Sequence, residues 1–361
     1  MQPVTDKNQN KRLRLAVVVP SFNGGNDLER CLEALMLSDY DNLEIILVDN
    51  HSSDVGVQRA RAKYPTLNII EHENNLGFTG ACLRGYEEAK KIGAVYLALI
   101  NQDCFVEASM FSQLIDYLEA HSEATAAQPL ILLDQNRDVV NSAGNCIHYL
   151  GFGYSDREGT NMNSTAMQRY LKEPRRVAYA SGAALVLKML DLNQFGLFSE
   201  DFFMYHEDLD LGWRISLFGK QSVLVPSARA YHRYEFSRST RIKYYYGERN
   251  RLIVLLENYH LATLLLIFPA WFVMEIGVVL FATLKGWLPL KLKGYLYVIV
   301  HFSEIMKERS RRQSMRKTKD RDVIRTMSAV VEYQTVPSLP LRIVNPLLAG
   351  YWRIIRSVIF W

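Results

Sequence analysis

The sequence predicts an α/β fold around a mostly parallel central sheet, followed by a mainly helical C-terminal region, on three observations. Short apolar runs recur through the first hundred residues, helix-patterned segments separate them, and polar turn formers follow each run. The first run, Leu15 to Val19, ends at Pro20 and the turn formers Ser21, Asn23, Gly24 and Gly25, as a buried strand entering a loop does. Further runs occupy Leu43 to Val48, Leu67 to Ile70 and Val95 to Ile100, with helical patterns near Asn26 to Leu37, Val55 to Tyr64 and Gly80 to Lys91 between them. In a parallel sheet, ligands bind beyond the carboxyl ends of the strands. This chain places Ser21 and Asn23 after its first strand, Asp49-Asn50-His51-Ser52-Ser53-Asp54 after the second, Asn74-Asn75 and Gly77 after the third, and Asn101-Gln102-Asp103 after the fourth. One rim therefore collects carboxylates and amides. No G-x-G-x-x-G or P-loop pattern follows the first strand, which disfavours a dinucleotide dehydrogenase or an NTPase.

A second polar cluster lies at Phe202 to Arg214, where Glu207, Asp208 and Asp210 stand among aromatic and aliphatic residues at the predicted start of a helix. Burying a carboxylate costs several kcal/mol unless it is paired or hydrogen-bonded. Asp210 and Arg214, four residues apart, read as a structural ion pair, while Glu207 and Asp208 read either as first-turn caps or as a reactive pair. Trp213 is either a core residue or a stacking platform, and Gly144 with Gly151-Phe152-Gly153 suggests a mobile loop between the two parts of the site.

The net charge of +4 is uneven: residues 305–325 hold nine Lys or Arg against three acids, so the remainder is about −2, which is not a nucleic-acid binder's surface. Cys31, Cys82, Cys104 and Cys146 form no C-x-x-C pair and read as reduced thiols of a cytosolic chain, and the run before Pro20 is too short for a signal-peptide core. The segment Leu261 to Leu284 is long and apolar enough to span a membrane, but Pro269 and Glu275 interrupt it. A single span would also place Lys285, Lys291, Lys293 and the basic run on the far side from the rim, against the positive-inside tendency. The expectation is of helices lying in or dipping into the cytoplasmic leaflet of the inner membrane, with the basic run on anionic headgroups. A soluble core or a homo-oligomer interface is the other use of such helices. Around Leu347-Leu348 and Tyr351 to Arg356 the sequence predicts one more amphipathic surface helix.

Several segments, in this order, resemble glycosyltransferase family 2 and its bacterial rhamnosyltransferase branch: Val17 to Asn23, Ile46 to Asp54, Asn74 to Ala81, Leu99 to Asp103, Ala180 to Ala184, Phe202 to Arg214, Ala230-Tyr231-His232 and Arg249-Asn250. The resemblance implies a GT-A fold with a Rossmann-like nucleotide-binding half at 14–105 and an acceptor half at 106–255. A polar lead at 1–13 would precede them, and a membrane-associating helical region at 256–361 would follow. It implies that Pro20, Ser21, Asn23, Asp49, Asn50, Asp54, Asn75, Gly77, Asn101, Gln102, Asp103, Ser181 and Gly182 line the nucleotide-sugar site. Asn101-Gln102-Asp103 stands where the family has an Asp-x-Asp motif, so Asp103 would hold Mg²⁺ or Mn²⁺, with His232 as a further ligand. The change of the first Asp to Asn101 puts the strength of metal binding in doubt. Glu207-Asp208 matches the family's Glu-Asp motif, with Asp208 as the preferred general base and Glu207 as the other candidate. The implied activity is inverting transfer of a sugar, L-rhamnose from dTDP-L-rhamnose, to a lipid-linked or polysaccharide acceptor. UDP- and GDP-sugars remain open as donors, and the competing reading is a catalytically silent, nucleotide-sugar-binding scaffold in an envelope assembly complex.

Overall fold

The computed structural model describes residues 12–234, 240–331 and 339–361. The polar lead assigned to residues 1–13 falls, up to residue 11, outside them. Strands β1 (Leu15–Ser21), β2 (Leu43–Asp49), β3 (Asn68–Glu71) and β4 (Tyr96–Ile100) pair in parallel in the order β3-β2-β1-β4. Their connections are α1 (Gly25–Met36), α2 (Gly56–Lys63) and α3 (Gly77–Lys91). Every residue of β1 is buried, because helices cover both faces of this half and leave no solvent side for alternation. Helix α3 lies so close to β1 that a Cβ at Gly85 would come within 2.3 Å of Val18 Cγ1. That position admits only glycine.

Beyond β4 the sheet becomes mixed. It adds β5 (Cys104–Val106), α4 (Met110–Ala120), β6 (Ala124–Leu133) and β7 (Asn136–Ser142). The hairpin of β8 (Asn145–His148) and β9 (Gly153–Ser155) comes next, then α5 (Thr165–Tyr170), β10 (Arg175–Val177), β11 (Ala184–Lys188), α6 (Met189–Phe195), α7 (Glu207–Leu217) and β12 (Gln221–His232). Strand β11 inserts antiparallel between β4 and β6, and β12 pairs in parallel with β6, giving the order β10-β12-β6-β11-β4-β1-β2-β3. The sequence pattern does not show that reversal. The segment around Gly151 is not an open loop: Tyr149, Leu150 and Gly151 are buried, and the β8–β9 hairpin joins a three-stranded sheet with a late strand, as set out next.

The remaining elements are α8 (Thr240–Asn258), α9 (Leu261–Leu284), α10 (Leu288–Val300), α11 (Phe302–Met315), α12 (Asp320–Val323), β13 (Met327–Ser328) and α13 (Leu339–Val358). Strand β13 pairs with β8, and Trp352 of α13 stacks on Tyr149 at 4.4 Å, so the helices share one core with the α/β part. Helix α9 packs against α10 and α13 and reaches α8 through side chains. Trp287, just past its C-terminal end, stacks on Tyr244 of α8 at 4.5 Å, its middle pairs Glu275 with Arg251, and His260 at its start follows directly on α8.

Helix α7 is buried along almost its whole length, with Trp213 edge-on to Tyr259 at 4.6 Å in the core. Its Asp210 meets Arg214 Nε at 2.8 Å, Asn258 Nδ2 at 2.9 Å and the guanidinium of Arg312. The expected Asp210–Arg214 pair is therefore present and is joined by an arginine a hundred residues away. Burial alone would raise the Asp210 carboxyl, but Arg312 and Arg214 bring it down to about 2. Of the basic run, Arg312 is buried, whereas Lys307, Arg311, Lys317, Lys319, Arg321 and Arg325 stay exposed, so most of the run remains on the surface. Arg312 also pairs with Glu257 and Glu308, Arg309 donates to the carbonyl of Tyr259, and Arg316 pairs with Asp320.

Removing one member of such a buried set leaves uncompensated charge, so Asp210→Ala is expected to cost about 3–5 kcal/mol in denaturant unfolding. The Asp210 contribution is complete above its unfolded pKa near 4 and is lost as pH falls through about 2. In wild type, stability should fall across that window, and Asp210→Asn should flatten the fall.

Candidate active site

The rim residues fall into two groups, those bound to each other and those left facing outward. Gln102 belongs to the first: its Oε1 accepts from Ser21 Oγ (2.9 Å) and the Phe22 N–H (3.0 Å), and its Nε2 donates to the Phe22 carbonyl (3.0 Å). It clasps the turn after β1. Both oxygens of Asp54 are likewise occupied, by the N–H groups of Gly25 (2.7 Å) and Gly56 (3.0 Å). Asn23, at φ 51°, joins the β1 and β2 loops through Ser52 and Ser53. Buried Asn50 donates to Asn75 Oδ1 and the Gly77 carbonyl, both at 2.9 Å, and accepts from the Leu76 N–H. These amides and the Asp54 carboxylate shape the cradle. Asp49, at the end of β2, accepts from the Ser52 N–H at 3.1 Å and is 8 % exposed.

Gly77 links the two halves of the cradle. It has φ +72°, and a Cβ there would lie 2.2 Å from the Phe203 carbonyl, which also accepts from the Thr79 N–H. The loop after β3 is thus pressed against the loop that leads into α7.

At the end of β4, Asp103 Oδ1 lies 3.3 Å from His232 Nε2, which β12 carries in from the other half of the sheet. His232 Nδ1 shares a 3.0 Å hydrogen bond with Asn141 Oδ1, so this nitrogen carries the hydrogen in the neutral ring and the Nε2 lone pair faces the carboxylate. Nε2 and the carboxylate oxygen are thus two acceptors side by side, an arrangement suited to a cation. Asn101 Oδ1 is buried without a partner in the same turn. Among the described residues no group of three or more His, Cys, Asp or Glu forms a metal cluster. The donor set available to a hard cation is the carboxylate of Asp103 with His232 and the orphaned amide oxygen of Asn101.

The acids Glu207 and Asp208 open α7 from the other side. Asp208 Oδ2 accepts from the Gly182 N–H at 3.0 Å and Oδ1 from the Leu209 N–H at 2.8 Å. The next residue, Ala183, accepts from the Asn101 N–H, so Ser181-Gly182-Ala183 joins both clusters. Glu207 is buried and its Oε2 has no partner. Burial and the neighbouring charge of Asp208 push the Glu207 carboxyl up to about 8. Burial raises Asp208 as well, but two N–H donors and the helix N-terminus oppose the rise. Glu207 therefore keeps its proton near neutrality.

Tyr205 and His206 precede the acids at φ 67° and 70°, a left-handed pair that is costly for non-glycine residues. Asn250 of α8 holds them there: its Nδ2 donates to the carbonyls of Met204 (3.0 Å) and Tyr205 (2.7 Å). Arg249 donates to the Asp201 carbonyl at 2.6 Å. The sequence flags Arg249-Asn250 only as part of a resemblance, without a role. The signal that would have identified them is an adjacent Arg-Asn pair in an otherwise aromatic helix.

Residues 16–186 match the profile of glycosyl transferase family 2. The N-acetylglucosaminyl-diphospho-decaprenol L-rhamnosyltransferase of Mycobacterium tuberculosis strain H37Rv is 30% identical over 232 residues, 60% of this chain and 75% of that protein. The chain belongs to glycosyl transferase family 2. An uncharacterized family glycosyltransferase of Escherichia coli K12, YibD, is 31% identical over 109 residues, which are 29% of this chain and 30% of that one. The fold is GT-A, similar to that of GalNAc-T7 solved with UDP, GalNAc and Mn²⁺, at a TM-score of 0.54 and 18% identity over 68% of this chain and 48% of that one. The matched residues 16–186 include the parallel strands β3-β2-β1-β4 and the polar rim described above.

The two acids should separate in mutant kinetics. Asp208→Asn is expected to lower kcat about 10²–10⁴-fold, the range for loss of a general base, whereas Glu207→Gln, isosteric with the protonated acid, should lower it less than tenfold. A pH–rate profile should show an inflection near 8 in wild type that disappears in Glu207→Gln.

Proposed function

We propose that this glycosyltransferase inverts the anomeric centre as it moves a sugar, L-rhamnose from dTDP-L-rhamnose, to a lipid-linked acceptor at the cytoplasmic face of the inner membrane. The observation that carries the reading is the carboxylate of Asp208, fixed by the Gly182 and Leu209 N–H groups and joined through Ala183 to the turn bearing Asn101 and Asp103. Inversion needs a base on the acceptor hydroxyl and a stabilised leaving group on the opposite face of the sugar. Asp208 takes the proton of the acceptor hydroxyl. A carboxylate is a weak base for an alcohol, so it acts late, once the sugar carries oxocarbenium character. Glu207, holding its own proton, leaves Asp208 as the one anion of the pair. Asp49 at the end of β2 would meet the base or ribose, on a cradle held in shape by Asp54, Asn50 and Gln102. Mg²⁺ or Mn²⁺ held by Asp103, His232 and Asn101 would supply positive charge against the departing diphosphate. Support for the donor and for the lipid-linked acceptor comes from the 30% identical mycobacterial relative, which is named as a rhamnosyltransferase of a decaprenol-linked substrate.

Membrane attachment is supported by α9, the one helix among the described residues long and apolar enough to cross a bilayer. Only 17% of its most apolar stretch is buried, and Leu265, Phe268, Phe272 and Val273 are more than half exposed. Leu296 and Ile299 of α10 and Ile354 of α13 extend this apolar surface. Exposed apolar area of this extent marks an interaction face. Glu275, which would be costly in lipid, turns inward to Arg251 and Lys291. With Glu275 at its middle tied to Arg251 of α8 and Lys291 of α10, α9 fits a helix lying in the interface rather than one crossing it.

Purified protein offered dTDP-, UDP- and GDP-sugars with Mg²⁺ or Mn²⁺ and a membrane-extract acceptor should release dTDP from dTDP-L-rhamnose. Release should cease with chelator and in Asp208→Asn. Preference for another nucleotide sugar would displace the donor assignment, and donor binding without turnover would favour the silent scaffold. In a second measurement, the double variant Phe268→Ser/Phe272→Ser should partition about tenfold or more less onto lipid vesicles, because each buried Phe contributes about 1.5–3 kcal/mol. A loss of dimer with unchanged vesicle binding would assign the face to a second copy of the chain.

A further inference from the structure

Arg251 lies in α8 beside Asn250, yet it reaches a different part of the site. It is fully buried, and its Nη2 donates to Glu248 at 2.8 Å and pairs with Glu275 of α9. Lys291 of α10 closes the group against both acids, so two cations face two anions and the cluster is neutral. This neutrality accounts for a buried arginine, but it leaves Nη1 and the flat face of the guanidinium unused. Nη1 donates to the carbonyl of Leu150 at 3.1 Å, and the guanidinium lies 4.4 Å from the centre of the Phe152 ring. Between those two residues is Gly151, at φ +83°, where a Cβ would come 3.0 Å from Arg251 Cγ. The Gly151 carbonyl accepts from His206 Nε2 at 3.2 Å. His206 is the left-handed residue immediately before Glu207 and Asp208.

We propose that Arg251 is a positioning residue for the catalytic helix: its guanidinium fixes the Leu150–Phe152 turn, and that turn fixes His206 and the entry into α7. The assignment rests on the reading of Asp208 as the base. Burial, followed by the positive charge of Arg251, lowers His206 to about 4, so His206 is neutral at working pH and Nε2 carries its hydrogen only in the tautomer this carbonyl selects. A planar fork can satisfy two carboxylates, a carbonyl and an aromatic face together. An ammonium group can keep the charge balance but cannot reproduce the flat contact.

That difference makes Arg251→Lys the informative variant, since it preserves the neutral cluster while removing the fork. Arg251→Lys and Phe152→Leu are each expected to keep a melting temperature near wild type and a donor KM within about twofold, with kcat lowered tenfold or more. The inflection near pH 8 should move toward the ordinary carboxylate range as the helix start loosens. A folded Arg251→Lys protein with kcat within twofold of wild type overturns the proposal, and so does a loss shared equally by kcat and donor KM. Asp208→Asn run alongside separates the two readings. Full turnover in Asp208→Asn would remove the base itself, whereas a dead Asp208→Asn beside a normal Arg251→Lys would remove only the positioning role.

Discussion

The constraint on which this structure depends is that α7 starts with three carboxylates and is buried almost throughout. Each acid needs a different remedy, and the surrounding elements supply them. Asp210 receives two arginines and an asparagine, from α7 itself, α11 and the end of α8. Asp208 receives two backbone N–H groups, one from the segment before β11. Glu207 receives nothing at its Oε2 and keeps a proton. A paired anion, a hydrogen-bonded carboxyl and a neutral acid thus lie within one turn of helix. Of the three, Asp208 is the one held by backbone N–H groups, with no ion pair to it among the described residues.

The same constraint explains why the helical region is an integral part of the enzyme. Helix α8 holds the left-handed pair Tyr205-His206 through Asn250, and it carries Arg251 and Asn258 toward the two sides of α7. The helices α10 and α11 pack on α8 and α9 is tied to it through Glu275 and Arg251, so the apolar face and the acids of α7 share one support. Strain at Tyr205 and His206 persists because three hydrogen bonds, two from Asn250 and one with Gly151, oppose its release.

Much of this was legible in the chain. The apolar runs and intervening helical patterns located β1 to β4 and α1 to α3, because a sheet covered on both faces leaves an uninterrupted hydrophobic signature. The rim was legible as residue types, yet the role of each was not. Asp54 and Asp49 look alike in sequence, but both oxygens of Asp54 are occupied by glycine N–H groups on either side of the cradle. Gln102 likewise turns back onto Phe22. Charge counting along residues 305–325 did not show that one member of the basic run, Arg312, is buried with its acids at Asp210 and Glu257. Such pairings span 50 to 100 residues, and nothing local announces them. The antiparallel insertion of β11 was hidden for the same reason, since strand direction depends on the path of the chain rather than on composition.

The bond between Arg312 and Asp210 also bears on how this enzyme can be handled in the laboratory. The usual route to a more soluble fragment of a protein with exposed apolar helices is to cut the chain before them. Here a cut after α8 would remove Arg312, leaving Arg214 as the one remaining cation on Asp210 and none on Glu257. It would also expose the face of α8 on which α10 and α11 rest. Solubility would have to come from replacing the outward apolar side chains of α9, α10 and α13 in place, with the chain kept whole.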